Sequence, residues 1–428
     1  MNMTDNTAFL KKINWQLFIV LFLMTGCFFT WSENIVITRG IKVVGRVGVL
    51  FATYAIYNRI LEYGAVDTLK WKNILSPILY VGYLTLGFVS LLWSTDVGYS
   101  ALQLFMTSQT LFFCYFFVKS IFLLDKYFPE HKTTYSNLLG DAVFYLILIF
   151  VIGMWVNPDV FYRLTNGGEE ARLGGYMMNP NELGMLSGLG VAGLIFDLYR
   201  KHHSVFTIIK ILILFYALYE TGSRSSLIGA FLIIGYHMKG ISNVKIKIAM
   251  VAALIVIMPI AVNKIIFKDG DSSRMEEVLS MTGRLPFWTA LINEGLPREP
   301  LFGFGFMRID YTDSFQSTNT YAGKMTHNTF MQVLINLGFV GLTIVIFQLA
   351  FTLKGIAKED SNTKMMLYSC FIPLLINSFT EFGIFGESNY GILFYQLIIF
   401  YIVFEKNTRL TRQQKILLQK RRPDILID

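Results

Sequence analysis

Thr326-His327-Asn328 opens the run Thr329-Phe330-Met331-Gln332-Val333-Leu334-Ile335-Asn336-Leu337-Gly338-Phe339-Val340-Gly341-Leu342-Thr343-Ile344-Val345-Ile346-Phe347-Gln348-Leu349-Ala350-Phe351. The run holds no Asp, Glu, Lys or Arg, and roughly 20 such residues in a helix cross the hydrocarbon of a bilayer. Comparable runs recur on both sides, at 15–31, 43–58, 74–93, 101–124, 138–156, 181–198, 205–221, 224–238, 248–263, 365–380 and 390–404. The pattern predicts an all-α polytopic membrane protein with about 12 transmembrane helices. Only 15% of the 428 residues are charged and 54% are hydrophobic, whereas soluble domains carry about 25% charged residues. Residues 1–428 are therefore expected to form a single integral membrane domain, with 264–327 as its one long extracytoplasmic loop. The first run follows Lys11-Lys12, is long and lacks a small-residue cleavage site, which predicts a retained helix.

The formal net charge is +8, but its excess sits in short loops and in the tail from Lys406 to Arg422. That is the pattern of cytoplasmic segments and not of a nucleic-acid surface. An even number of spans with this bias puts both termini in the cytoplasm. Cys27, Cys114 and Cys370 fall inside apolar runs and offer no metal cluster. Three spans are irregular: the second contains Arg46, and the pair at 205–238 is divided only by Thr221-Gly222-Ser223.

On this topology three helices start at the outer face with polar heads: Asn179-Pro180-Asn181, Ser223-Arg224-Ser225 and Thr326-His327-Asn328. Each head presents free backbone N–H groups and the positive end of a helix dipole, so converging heads would bind an anion. Such residues also cap helices that bind nothing, and an arginine at a helix start can simply snorkel to the interface. Arg224 gains weight from Arg284 and Arg172 on neighbouring outer segments, because guanidinium groups pair with phosphate oxygens. Of the five histidines only His327 is placed outside. At a helix N-terminus a neutral imidazole is favoured, the state a general base needs. Pro286, Phe287, Trp288, Leu291 and Ile292 form a short helix with one apolar face, suited to the outer leaflet or to packing on the bundle. Gly303-Phe304-Gly305-Phe306 reads as turns. Asp310 and Asp313 read as solvated. Glu381, Glu387 and Asn389, before the last span, are placed to orient an acceptor sugar.

The order Arg172-Leu173-Gly174-Gly175 with Asn179-Pro180-Asn181, Ser223-Arg224-Ser225, Thr282-Gly283-Arg284 with Trp288, Gly303-Phe304-Gly305, and His327-Asn328 with Gly338 and Gly341 resembles the O-antigen ligase and O-antigen polymerase family. The resemblance covers residues 170–345 by motif and the whole chain by topology. It implies a GT-C-like, metal-independent, inverting glycosyltransferase without a cofactor, in the bacterial inner membrane and active on its extracytoplasmic face. The implied donor is a glycan on undecaprenyl diphosphate, held by Arg224, Arg284 and Arg172. His327 would activate the acceptor, with Asn328, Ser223, Asn181, Trp288 and Glu381 in support. The acceptor divides the family: another lipid-linked repeat unit for a polymerase, lipid A core for a ligase. A compact outer loop favours the polymerase, with a chain-length regulator and membrane lipid as further partners. A lipid-linked oligosaccharide transporter or flippase is the alternative of another class. It predicts charges at the bilayer midplane and interrupted helices in paired halves.

Overall fold

The computed structural model describes residues 3–128, 130–165, 170–199, 205–240, 284–306, 326–381, 383–405 and 410–421, together with 244, 247 and 248. The helices are α1 Met3–Gly26, α2 Ile35–Gly40, α3 Arg46–Glu62, α4 Leu75–Val89, α5 Val97–Tyr127, α6 Tyr135–Val156 and α7 Pro158–Phe161. After a hairpin of β1 Tyr162–Thr165 and β2 Glu170–Leu173 come α8 Pro180–Tyr199, α9 Val205–Glu220, α10 Arg224–Met238 and α11 Arg284–Ala290. The chain continues through α12 Thr329–Ala357, α13 Ser361–Thr380, α14 Tyr390–Val403 and α15 Arg412–Arg421. The chain is an all-α membrane protein. A described helix lies at each expected span except 248–263, most of which is outside the described residues, as are Thr282, Gly283, Asp310 and Asp313. Five helices are long and apolar enough to cross a membrane: Asn6–Gly26, Leu75–Leu92, Val97–Tyr127, Tyr135–Val156 and Thr329–Ala357. The count of twelve is an expectation that these helices do not themselves establish. The first helix is displaced from the expected 15–31. Its early turns bury Phe9, Leu10 and Ile13, and the chain leaves the helix beyond Gly26 to let Thr30 N–H donate to Met177 O at 2.9 Å.

Helix α8 packs against α6, α9, α10 and α13, and α14, buried at every position, fills the bundle beside α5. The α6–α8 seam is close because it is built from glycine: a Cβ on Gly193 would stand 2.9 Å from Ser136 O and 3.0 Å from Gly140 N. Phe51, Leu92, Trp155, Val156, Leu212 and Phe347 point outward and are exposed. An apolar collar of that kind suits hydrocarbon and not water.

Helix α12 is broken at Gly338, whose φ of +62° and ψ of −164° leave the helical region. A break inside a bilayer frees backbone groups that must find partners, and residues 300–306 supply them. Phe304 N–H donates to Ile335 O at 3.1 Å and Gly305 N–H to Asn336 O at 2.8 Å, while Phe339 N–H reaches Pro300 O at 2.9 Å and Val340 N–H reaches Leu301 O at 3.1 Å. The approach is possible because Gly303 and Gly338 lack side chains; a Cβ on Gly338 would meet Leu301 C at 2.3 Å and one on Gly303 would meet Asn336 C at 2.5 Å. The Gly-Phe-Gly-Phe motif thus does make turns, and the turns close the break. Gly338→Ala is expected to cost about 2 kcal/mol from conformation alone, read as a lower thermal midpoint of the detergent-solubilised protein; an unchanged midpoint would contradict the clamp.

Candidate functional site

The three polar helix heads meet. At the start of α8, Asn179 Oδ1 accepts from Asn181 N–H at 2.9 Å. At the start of α10, Ser223 caps Ser226 N–H at 3.4 Å, and the Ser226 hydroxyl donates to Asn181 O at 3.2 Å, tying the two heads together. At the start of α12, Asn328 Oδ1 accepts from Phe330 N–H at 2.9 Å and Met331 N–H at 3.0 Å. Its amide donates to Phe379 O at 3.2 Å, at the end of α13.

Glu381, just beyond α13, joins these parts. Its Oε1 accepts from Asn181 Nδ2 at 2.7 Å and from Arg284 Nη2 at 3.0 Å, and its Oε2 lies 2.7 Å from His327 Nδ1. Arg284 also donates to Thr380 O. Glu381 is 3% exposed. Burial by itself would raise its carboxyl, but the hydrogen bond and charge of His327, the charge of Arg284 and the Asn181 amide outweigh that and hold it below its ordinary value. This carboxylate, expected from sequence to orient an acceptor sugar, is engaged here by Asn181, Arg284 and His327. A carboxylate only accepts, so a hydrogen lies on Nδ1 and the ring is turned by this contact. His327 itself has φ +47°, a left-handed backbone that a non-glycine residue adopts at a cost of roughly 1–2 kcal/mol.

Arg172 extends the chain of contacts. Its Nη2 donates to Asn181 Oδ1 at 2.6 Å and its Nε to Thr221 O at 2.7 Å. Burial lowers its pKa; Glu170 and Glu381 act against this, whereas Arg224 and Arg163 add to it. Arg163 faces Arg172 directly across the β1–β2 hairpin. Like charges paired in this way are unfavourable unless an anion offsets them. Arg224, first residue of α10, is half-buried beside this group, as are Arg284 and His327.

Trp288, on α11, donates through Nε1 to Thr326 O at 2.7 Å and so fixes the turn that carries His327. Phe287 and Leu291 are buried against Ile335, so this short helix packs on the bundle. A polar spine continues inward: Thr326 Oγ1 donates to Gln332 Oε1 at 3.0 Å, Gln332 Nε2 to Asn336 Oδ1 at 2.9 Å, and Asn336 Nδ2 to Phe306 O at 2.5 Å. Sequence reasoning passed over Gln332, Asn336 and Arg163. Asn328, Gln332 and Asn336 recur every four residues on one helix face and could have been found; Arg163 required the hairpin register. Arg46 is tied elsewhere. It is 1% exposed, donates from Nη1 to Ser388 Oγ at 2.8 Å and lies 3.8 Å above the Phe28 ring.

Residues 209–346 match the family model described as O-antigen ligase, and this match supports an O-antigen ligase/polymerase-like family. The matched segment contains Ser223, Arg224, Arg284, Trp288, His327 and Asn328, and leaves Arg172, Asn181 and Glu381 outside it. No curated protein matches the chain.

Proposed function

We propose that this chain, an O-antigen ligase/polymerase-like membrane protein by its match over residues 209–346, is a glycosyltransferase on the extracytoplasmic face of the bacterial inner membrane. It takes a glycan from undecaprenyl diphosphate and joins it to a sugar hydroxyl of another lipid-linked repeat unit. The observation that carries this reading is the His327–Glu381–Arg284 group at the head of α12, with Nδ1 at 2.7 Å and Nη2 at 3.0 Å from the same buried carboxylate.

In the proposed step, Nε2 of His327 takes the proton of the acceptor hydroxyl as its oxygen bonds to the anomeric carbon. The bond from that carbon to the diphosphate oxygen breaks, and undecaprenyl diphosphate leaves with the electron pair. Attack opposite the leaving group inverts the anomeric centre. Arg224, Arg284 and Arg172 stabilise the charge that builds on the diphosphate, so that step draws on no metal. Glu381 holds the imidazole and one arginine in a fixed relation. It does for orientation what a carboxylate partner does for a histidine base generally. The proposed topology of about twelve spans with cytoplasmic termini sets this group at the outer surface. The break in α12, which the transporter alternative would use as a moving part, is bridged on both sides by residues 300–306.

A glycan gel of a deletion strain, complemented with the normal chain or with His327→Ala, tests the reading. The deletion is expected to leave a single repeat unit on the final acceptor, with His327→Ala failing to restore the ladder. Long chains confined to the lipid carrier would assign the ligase, and an unaltered ladder would reject glycan transfer.

A further inference from the structure

His327, Asn328 and Thr329 all reach the exit of α13, and Thr329 takes no part in the proposed chemistry. His327 Nδ1 lies 2.7 Å from Glu381 Oε2, and the Asn328 amide donates to Phe379 O at 3.2 Å. Thr329, the first residue of α12, is buried. Its hydroxyl sits between two backbone groups of the same turn, accepting from Gly383 N–H at 2.9 Å and donating to Glu381 O at 3.4 Å. The carboxylate and the backbone of Glu381 are thus both tied to the head of α12.

A hydroxyl inside a helix commonly bonds back to the carbonyl four residues earlier, as those of Thr25, Thr53, Ser120 and Ser378 do here. At the first position of α12 no carbonyl of the same helix lies behind it, and a β-branched side chain has little rotational freedom. The hydroxyl is left to serve a neighbouring element. That element is closely confined. A Cβ on Gly383 would stand 1.8 Å from Ser378 Oγ, and one on Gly391 would stand 2.7 Å from Gly383 O, so α13 and α14 close on the turn from two sides. Ser378 Oγ also accepts from Ile384 N–H at 3.2 Å. Farther on, Gly386 N–H donates to the Tyr83 hydroxyl at 3.1 Å and Ser388 N–H to Gln103 Oε1 at 2.9 Å, which anchors the later part of the turn to α4 and α5. Among the described residues, only Thr329 ties the backbone of Glu381 and Gly383 to the helix that follows His327. An error of about 1 Å in the placing of a catalytic group costs up to about 10²-fold in rate.

We infer that Thr329 is a positioning residue, whose hydroxyl locks the backbone at Glu381 and Gly383 to the head of α12 and so sets the Glu381 carboxylate against His327 Nδ1. The inference rests on the transfer reading for its effect on rate, but the positioning is measured without transfer. Thr329→Val keeps the shape and removes the hydroxyl; Thr329→Ser keeps the hydroxyl. Full-length protein in detergent, isotope-labelled at its histidine ring nitrogens, is followed by NMR, the His327 signals being those missing from His327→Asn. They are expected to report a protonated, hydrogen-bonded Nδ1 in the normal protein and in Thr329→Ser, and to move toward exchanging tautomers in Thr329→Val. With purified protein and lipid-linked donor, kcat is expected to fall about 10- to 100-fold in Thr329→Val with donor KM unchanged, and to stay within about twofold of normal in Thr329→Ser. Adding Thr329→Val to His327→Asn is expected to cost nothing more, because the two act through one contact. Thr329→Ala is read instead if the valine variant elutes as aggregate. Unmoved His327 signals in the folded variant overturn the inference, as does a serine variant as impaired as the valine one or a loss that multiplies with that of His327→Asn. Signals that move in Thr329→Val while transfer survives both Thr329→Val and His327→Asn would retain the positioning and reject the transfer reading.

Discussion

His327→Asn is expected to abolish glycan transfer, with a fall of about 10³-fold in the rate measured with purified protein and lipid-linked donor. Asparagine is the informative replacement because it tolerates the left-handed backbone at φ +47° that alanine would strain. It removes the lone pair at Nε2 while leaving a side chain able to face Glu381. Arg284 and Glu381 remain in contact in this variant, so donor binding is expected to survive. Loss confined to the chemical step identifies a base. Activity above about a tenth of normal would show that another group accepts the proton and would remove His327 from the mechanism.

Glu381→Ala is expected to destabilise the protein by about 3–5 kcal/mol, since it leaves Arg284 without its buried carboxylate and deprives His327 and Asn181 of an acceptor. The readout is the thermal midpoint in detergent, alongside a loss of transfer at least as large as that of Arg284→Ala. A pH dependence accompanies it. Folding lowers the Glu381 pKa below its ordinary 4.5, so the unfolded chain binds the proton more readily and acid favours unfolding. The stabilisation stands in full above about pH 4.5 and drains away as the pH falls through the folded value. Normal protein should therefore lose thermal stability below pH 4.5 more steeply than Glu381→Ala. Parallel curves would show that Glu381 carries no linked proton.

The apolar runs and polar heads were legible because hydrophobic length and helix caps are local properties. The starts of α8, α10 and α12 follow from Asn179-Pro180, Ser223 and Asn328 alone. The reach of His327, Arg284 and Arg172 to one another was not local. It passes through Glu381 and Asn181, 200 positions apart along the chain, and nothing in the spacing of residues encodes that meeting. Glu381 looked like a surface turn residue because the turn between α13 and α14 is short; only the packing of α8 and α11 against it makes the carboxyl internal. The break at Gly338 was hidden for the opposite reason. Its flanking residues are apolar enough to continue a helix, and what stops them is a hydrogen-bonding segment from elsewhere.

That segment has a consequence for chain length. The chain is pinned to α12 at Phe306, through Asn336, and again at Thr326, through Gln332, four residues apart on one face. The distance between the pins is set by a single helical turn, about 6 Å, and not by the residues that join them. Exchange of 307–325 for a segment of another length therefore leaves His327 where it is. Both pins are thus built into one face of α12, whatever joins residues 306 and 326, and a change of length there need not disturb the helix head.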